Sequence, residues 1–432
     1  MSKGSKLFNF VRQNASDHFR EVVPEATDSN ISDLSNILFA QEYAPTLNEF
    51  IDGLVNRIGM TIVHDRSFKN PLAPFKKGSV PLGSDVQEIK TNMLDAEQFT
   101  LSEDEAGKLL SIAIPDTKVE YIKRNRKDRY DLSIAYDSLH AAFKSWDDFT
   151  RYTDSIFTAL YNSAETDEFE KMKELITAAY KNNKVVISQV SAVTDASTAK
   201  ALLKKARKDY IKMQYPRTEY NAWTKCTGDL RPLKTFTPRN RMVLFVSADV
   251  SSEADVEVLA QAFNLDRANW LGSIVQVDQI DPEGKIQAIL CDEAFLQVYD
   301  NLYRMEEFNN GRVLVRNYYL HVWQIMGVSM LSNAIVYATE LPTVNATAVE
   351  ASASSATVDE GAKVLVPFTV TPPNATTTIT ASSSAEGKAT VTVKGRAVEI
   401  TGVEAGNATI TISAGAGVTD TISVTVTEPA SE

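Results

Sequence analysis

The clearest helical pattern in the sequence occupies residues 137–181, where apolar side chains recur at steps of three and four. That spacing is typical of an α-helix with one buried face. The repeating positions are Leu139, Phe143, Trp146, Phe149, Ile156, Leu160, Ala164, Phe169, Met172, Leu175 and Ala179. With Asp137 or Ser138 as the N-cap, we predict one continuous helix of about 40 residues and about 60 Å. A break at Ser163–Asp167 is the alternative, because polar residues there could cap a second helix.

Residues 58–91 predict an extended segment rather than a helix, because Pro71, Pro74, Pro81 and several glycines interrupt them. Long segments of this kind are either disordered or arms that bind a neighbouring molecule. We expect a lone subunit to leave the apolar anchors of such an arm exposed. The candidate contact residues in and beside the segment are Phe68, Leu72, Phe75, Lys76 and Lys77.

Other stretches of the first 340 residues alternate strand and helix patterns. Residues 118–136 predict a strand that starts from a basic cluster. Residues 201–213 predict an amphipathic basic helix. Residues 242–280 predict a buried strand, a helix from about Glu253 to Phe263 and a second strand. Residues 313–340 alternate apolar and polar positions and predict one long strand.

The amino-acid composition of the chain changes abruptly near Leu341. Residues 342–432 contain 18 threonines but one leucine (Leu365) and one aromatic residue (Phe368), while every Trp and Tyr lies earlier. Short runs with period-two alternation recur there, separated by Gly, Pro, Asn and Ser clusters. This pattern predicts a separate all-β sandwich of about 90 residues. The chain is therefore α+β with an all-β C-terminal part.

Composition and charge argue against several classes of protein. The 432 residues carry a net charge of -12, which argues against a dedicated nucleic-acid binder. The first residues lack the apolar core of a signal peptide, and no window approaches the roughly 20 apolar residues of a membrane span. Cys226 and Cys291 are too few for a disulfide framework, so we expect folding in a reducing cytoplasm.

No catalytic or cofactor motif is present in the sequence. The four histidines are scattered, neither cysteine has a histidine at motif spacing, and phosphate-binding glycine loops are missing. We therefore expect no enzyme activity, no metal and no cofactor.

A basic cluster at Lys123, Arg124, Arg126, Lys127 and Arg129 stands out on an acidic chain. We expect Arg124 and Arg126 to pair with acidic groups of a neighbouring subunit. Candidate acidic groups are Asp147, Asp148 and the run at 102–107. Contact with phosphate, or a plain solvated face, is the alternative.

Residues 370–415, with a polar turn, a "GRAVEITG" step and an "AGNATIT" strand in this order, resemble a bacterial immunoglobulin-like domain of group 2. The Trp usual in the early strand of that family is replaced here near Ile379.

Four strings before residue 341 are similar to major capsid proteins of the phi-twenty-nine-like, short-tailed phages: "NPLAPFKKGSVPLG", "YNSAETDEFEKMK", "ADVSSEADVEVLAQAFN" and "VYDNLYRMEEFNNGRVLVRNYYLHVWQ". The order of elements also resembles the Hong Kong 97, or Johnson, fold. Members of that phage group carry a C-terminal immunoglobulin-like domain as well.

This resemblance implies a domain plan and a set of partners. The implied domains are an N-terminal arm (1–57), an extended loop with flanking strands (58–115), a peripheral domain with a spine helix (116–184), an axial domain (185–312), a return strand of the peripheral domain (313–341) and an immunoglobulin-like domain (342–432). The implied function is self-assembly, in hexamers and pentamers, into an icosahedral or prolate head around double-stranded DNA. The other implied partners are a scaffolding protein and a portal or connector, with no membrane and no sequence-specific DNA contact. The implied location is the virion capsid, after assembly in the host bacterial cytoplasm.

Two other function classes stay open at this point. A bacterial surface or adhesion protein could carry the same immunoglobulin-like module, although a signal peptide and an anchor are lacking. An enzyme with a carbohydrate-binding tail is the third candidate, and it lacks a recognisable catalytic set.

Overall fold

The computed structural model describes residues 2–40, 44–58, 68–94, 96, 114–229, 231–253, 274–415 and 417–428. The predicted helix at 253–263, apart from its first residue, and the acidic run at 102–107 lie outside the described residues, as do parts of the predicted loop at 58–115. The chain forms two compact units. Unit 1 comprises Met1–Val86, Lys123–Met172 and Val298–Met326, and unit 2 comprises Gln87–Ile122, Lys173–Gln297 and Gly327–Glu432.

The helices and strands have the following bounds. The helices are α1 (Lys3–Gln13), α2 (Asp17–Val22), α3 (Ile31–Leu38), α4 (Ala44–Ile58), α5 (Tyr136–Ala142), α6 (Trp146–Lys181), α7 (Ala196–Met213), α8 (Trp223–Thr227) and α9 (Ala248–Glu253). The strands before residue 341 are β1 (Lys76–Ser79), β2 (Val86–Thr91), β3 (Thr117–Ile122), β4 (Arg124–Ala135), β5 (Val186–Gln189), β6 (Met242–Ser247), β7 (Ile274–Val277), β8 (Ile286–Asp292), β9 (Leu296–Asn310), β10 (Val315–Val328) and β11 (Ala334–Ala338). The later strands are β12 (Ala348–Ala351), β13 (Ser355–Asp359), β14 (Lys363–Thr371), β15 (Thr380–Ser383), β16 (Ala389–Lys394), β17 (Ala397–Gly402), β18 (Gly406–Ser413) and β19 (Thr419–Thr427).

The long helix α6 runs without a break for 36 residues. It passes through Ser163–Asp167, so the alternative of two helices is wrong. Its start differs from the prediction, because the short helix α5 precedes it and the Ser145 side chain caps the first turn by accepting from Asp148 N–H at 3.1 Å. Ser145 is thus the functional N-cap.

Unit 1 is built on a sheet with strand order β1-β9-β10-β4. Helices α1 to α4, which the sequence analysis did not predict, share a core with this sheet, α5 and α6. Phe8, Phe50, Phe143, Trp146 and Phe149 form its aromatic centre, with the Phe8 and Phe50 rings 4.9 Å apart. The described residues among the first 58 therefore form four helices around an apolar core.

Unit 2 contains a five-stranded sheet of order β5-β11-β8-β6-β7 and a two-stranded ribbon of β2 and β3. The predicted basic helix is confirmed as α7, which begins with a capping box between Asp195 and Thr198. Its buried positions follow the helical period and pack on the five-stranded sheet. They are Ala199, Leu202, Leu203, Ala206, Tyr210 and Met213.

The strand predicted over 313–340 is two strands. β10 pairs with β4 in unit 1, whereas β11 pairs with β5 and β8 in unit 2. A turn divides them, in which the Ser329 hydroxyl accepts from the N–H groups of Leu331 and Ser332 at 3.1 Å each. The alternation breaks at this turn, where two apolar residues (Met330 and Leu331) precede two polar ones (Ser332 and Asn333), and this signal was overlooked in the prediction of one strand.

The C-terminal part of unit 2 forms two four-stranded sheets, of orders β12-β14-β17-β16 and β13-β19-β18-β15. Alternate side chains point into one shared core, as in β14, where Val366, Phe368 and Val370 are buried and the residues between them are exposed. The predicted all-β sandwich is therefore confirmed as an architecture.

Candidate functional site

The candidate contact segment packs on its own subunit in unit 1. Phe68 donates its backbone N–H to Asn162 Oδ1 at 2.8 Å, and its ring centre lies 5.6 Å from that of Phe169. Asn70 turns the chain by accepting from Leu72 N–H at 2.8 Å. Leu72 and Phe75 are only 1% and 4% exposed.

The expectation that a lone subunit leaves Leu72 and Phe75 exposed is therefore wrong. The Asn70 turn points both side chains into the protein, where they fill the core instead of meeting solvent. Phe68 remains 37% exposed, and Lys77 is exposed. These two residues are accessible from outside the subunit.

Lys76 belongs to a buried polar network. It begins β1, which pairs in parallel with β9, and its Nζ lies 3.0 Å from Glu168 Oε2 and 3.2 Å from Asp300 Oδ2. Gln324 also donates its amide N–H to both carboxylates. Burial lowers the pKa of Lys76, but the two carboxylates outweigh it and hold this pKa above its ordinary value. Lys76 is thus ion-paired with two carboxylates of its own subunit.

Arg126 joins the same network from β4 and is 3% exposed. Its guanidinium donates to Asp128 and to Gln324 Oε1 at 2.6 Å each, and to Tyr130 Oη at 2.9 Å. Tyr130 in turn donates to Asp167 at 2.8 Å, and burial together with this bond raises the pKa of Tyr130. Strand alternation turns Arg126 inward, so its guanidinium has partners in its own subunit, and the expected contact with a neighbouring subunit stays a prediction.

Four of the five residues of the basic cluster lie on strand β4, and the exposed Lys127 and Arg129 alternate along it with the buried Arg126. The guanidinium of Arg124 lies 5.0 Å and Lys127 Nζ 5.3 Å from the ring centre of Trp323, within the range of cation–π attraction. Arg129 lies 5.3 Å from the ring centre of Tyr319 and donates to Asp131. We call Arg124, Lys127, Arg129, Tyr319 and Trp323 the basic face.

The ribbon of β2 and β3, together with residues 92–94 and 114–116 that flank its two strands, exposes large apolar side chains in unit 2. Leu94 and Ile114 are 81% and 83% exposed, and three further residues are well exposed. Those three are Ile89, Met93 and Tyr121. This surface was not predicted from the sequence, although apolar residues in a polar, glycine-poor stretch were the available signal. Single exposed apolar residues are ordinary, but a group of five on and beside one ribbon indicates a contact surface.

Polar contacts fix the ribbon to the rest of unit 2. Asn92 donates to Pro232 O and accepts from Lys234 N–H, both at 3.0 Å. At the other end, Glu120 accepts from Met330 N–H at 2.9 Å, and burial raises the pKa of Glu120 to about 7. The described part of the ribbon therefore presents its apolar residues from an anchored backbone.

A second exposed apolar group lies in unit 1, where residues 311–314 join β9 to β10. Phe308, Val313 and Leu314 are 59%, 58% and 59% exposed, and Leu314 adopts a left-handed φ of 51°. The Leu314 carbonyl accepts from Tyr136 N–H at 3.3 Å, which anchors the base of the turn.

The described residues offer no constellation typical of catalysis or metal binding. Within the described ranges, no group of three or more His, Cys, Asp or Glu side chains could hold a metal ion. Burial raises the pKa of Cys226 to about 11, which disfavours the thiolate. Among the helices that the structure describes, none has the length and apolar character needed to cross a membrane.

Comparisons with known proteins converge on one family. A family model described as Phi29-like phage major capsid protein matches residues 8–338. The major capsid protein of Bacillus phage B103 is 36% identical over 361 residues, covering 82% of this chain and 77% of that protein. The major capsid protein of Bacillus phage PZA is 35% identical over 360 residues, covering 83% and 78%.

The fold agrees with this relationship. A chain in the capsid structure of Staphylococcus phage Andhra matches with a TM-score of 0.53 and 13% identity, covering 65% of this chain and 87% of that chain. This likeness concerns the fold alone, and it confirms the predicted α+β capsid fold class. With a matching family model over most of its length, the chain belongs to the Phi29-like phage major capsid protein family.

Proposed function

We propose that this chain is the shell-building subunit of a phage head and that the β2–β3 ribbon lies on a neighbouring copy. The observation that carries the proposal is the exposure of Leu94 and Ile114, each above 80%, just beyond the strands of a ribbon that Asn92 anchors to Pro232. Burying a side chain of this size contributes about 1.5–3 kcal/mol. Because each subunit of a closed lattice would make the same contact, this term would be repeated throughout the shell.

The proposal is tested with the double variant Leu94→Asp, Ile114→Asp. Both side chains are exposed in the subunit, so we expect the variant to fold normally and fail to assemble. The matched control is Leu365→Asp, at a residue 57% exposed on the C-terminal sandwich. Circular dichroism checks folding, and sedimentation velocity measures assembly. Wild-type particle yield from the folded double variant would overturn the ribbon contact.

Three of the predicted contact residues stay in this proposal, namely Phe68, Lys77 and Arg124. Phe68 and Lys77 are accessible, and Arg124 lies on the basic face. Leu72, Phe75, Lys76 and Arg126 are buried or paired within the subunit, so this proposal does not rest on them.

The subunit would assemble as hexamers and pentamers in the host cytoplasm, with a scaffolding protein and a portal as partners. It would enclose double-stranded DNA without reading its sequence, in keeping with the net charge of -12. The predicted peripheral, axial and loop domains belong to this proposal as well. Its role would be structural, because assembly requires contacts rather than catalysis.

The C-terminal sandwich would be a group 2 immunoglobulin-like domain that decorates the outer surface. Its two four-stranded sheets support this assignment. The alternative of a bacterial surface protein is not favoured, because the family match covers residues 8–338 and its curated relatives are capsid proteins.

A further inference from the structure

The connection between β11 and the C-terminal sandwich is held at both ends. Thr339 donates its N–H to Lys285 O at 2.9 Å, and Tyr180 Oη donates to Glu340 O at 2.8 Å. Lys285 Nζ also lies 3.0 Å from Glu340 Oε2. These contacts fix the start of the connection on the rest of unit 2.

The end of the connection is fixed to one loop of the sandwich, residues 371–377, which we call the docking loop. Val344 accepts from Thr376 N–H at 2.8 Å, and its own N–H donates to Thr376 Oγ1 at 2.9 Å. Ala346 N–H donates to Thr377 Oγ1 at 3.0 Å. The docking loop therefore sets the path by which the chain enters the sandwich.

The same loop contacts the C-terminal end of the long helix α6 through a reciprocal pair of amides. Asn183 Nδ2 donates to Asn374 O at 2.8 Å, and Asn374 Nδ2 donates to Asn182 O. Asn183 and Asn374 are each 7% exposed. Buried amides of this kind are costly to leave without partners, so the pair favours one docked position.

The conformation of the helix end explains why an asparagine occupies position 183. Asn183 adopts a left-handed φ of 52°, and the N–H groups of Asn183 and Lys184 donate to Tyr180 O and Ala179 O. This is a Schellman motif, in which glycine is the usual residue at the left-handed position. Asparagine tolerates that conformation and adds an amide that reaches Asn374.

A second helix end contributes to the same surface. Gly228 follows α8 with a left-handed φ of 73°, and a Cβ at this position would lie 3.6 Å from Pro373 Cβ. Pro373 O also accepts from Arg396, so the docking loop is held from within the sandwich as well. The docking loop thus contacts two helix ends of unit 2.

We propose that the side-chain amides of Asn183 and Asn374 hold the C-terminal sandwich in one fixed position on the rest of unit 2. The sandwich is then a rigid extension of the subunit rather than a tethered tail. Every copy in an assembly would present the sandwich in the same orientation. The contacts that fix this position, which we call the joint, all lie within one chain, so they do not require assembly.

The test is hydrogen–deuterium exchange of the unassembled full-length protein, read on peptides covering the docking loop. Asn183→Gly introduces glycine, the residue that a Schellman motif prefers, so α6 should still end normally. The substitution removes only the side-chain amide. Asn374→Ala removes the opposite amide. The matched control is Asn345→Ala, at an exposed asparagine in the connection. Peptides covering β18 and β19 report whether the sandwich remains folded.

We expect both joint variants to raise the exchange rate of the docking loop about tenfold, since each loses at least one buried hydrogen bond. Exchange in β18 and β19 should not change, and Asn345→Ala should behave as wild type. Docking-loop exchange equal to that of the control in both joint variants would overturn the proposal. Because no particle is needed, the result is independent of the ribbon contact proposed above.

Discussion

Lys76 Nζ lies 3.0 Å from Oε2 of Glu168, so a lysine at the start of β1 is paired with a carboxylate buried on α6. The side chain of Glu168 is only 5% exposed, and Gln324, which is fully buried, donates to the same oxygen. A charged group buried this deeply requires a partner of opposite charge. The segment before the ribbon is thereby fixed to the framework of unit 1.

Removing Lys76 should destabilise unit 1. Lys76→Met leaves Glu168 buried without its cation, and we expect the free energy of unfolding to fall by about 2–4 kcal/mol. Lys69→Met, at an exposed residue of the same segment, should change it by less than about 0.5 kcal/mol. Adding Glu168→Met to the first variant should restore part of the loss. Urea denaturation measures all three, and equal stability of the two lysine variants would contradict the pairing.

Asp52 on α4 should make stability depend on pH. Burial, and then a hydrogen bond with Glu307, raise the pKa of Asp52 from 3.8 to about 6, although Arg316 opposes the shift. A carboxyl group with a raised folded pKa contributes its full stability below the unfolded pKa and loses it as the pH rises through the folded pKa. The contribution of Asp52 therefore falls between pH 3.8 and about 6.

Asp52→Asn tests this relationship, because the amide stays neutral at every pH. The difference in unfolding free energy between wild type and variant should shift in favour of the variant from about pH 4 to about pH 7. Tyr318 and Arg316, which also face Asp52, stay in place in both proteins. Asp33→Asn, at an exposed residue of α3, is the control. A constant difference across this range would rule out the raised pKa.

Two glycines of the sandwich should differ in how much replacement by alanine destabilises the protein. A Cβ on Gly402 would lie 2.5 Å from the backbone oxygen of Asp359, whereas a Cβ on Gly387 would meet nothing within 4 Å. We expect Gly402→Ala to cost about 1–3 kcal/mol and Gly387→Ala less than about 0.5 kcal/mol. Thermal unfolding of the full chain compares them, and equal midpoints would contradict the close packing of β17.

The basic face should make assembly sensitive to salt if it contacts an acidic neighbour. Exposed ion pairs contribute about 0–1 kcal/mol each and are screened over about 8–10 Å at 0.1–0.15 M salt. Arg124→Gln with Lys127→Gln should lower the yield of empty shells and weaken its salt dependence. Lys204→Gln with Lys208→Gln, exposed on α7, removes the same charge elsewhere. If the yield of empty shells depends on salt in the same way for both double variants, the basic face does not contact an acidic neighbour. Contact with DNA, or a solvated face, would then be its role.

Long periodic elements were predictable from the sequence, and single side-chain environments were less so. The period of three and four predicts α6, and strict alternation predicts the sandwich, because each pattern extends over many residues. The burial of Arg126 was not predicted, because the basic run was interpreted as a surface that pairs with a neighbouring subunit. Strand alternation places Arg126 with Asp128 and Tyr130, opposite Lys127 and Arg129, and this signal was present in the sequence.

The candidate site depends on contacts that sequence patterns do not contain. Nothing in the string around Leu72 and Phe75 tells whether they pack on their own chain or on another, and the turn made by Asn70 decides it. Similarly, the network of Lys76, Glu168 and Gln324 joins residues far apart in the chain. Such long-range pairs follow from the fold, so they become visible only when the fold is known.

Electron cryomicroscopy of particles assembled from this chain tests the central claim most directly. The quantity to measure is the distance from the Leu94 and Ile114 side chains to the nearest apolar side chains of other copies. We predict that both side chains lie within about 4.5 Å of a neighbouring subunit, the range of apolar contact. Particles in which both side chains face solvent, or touch only their own subunit, would contradict it.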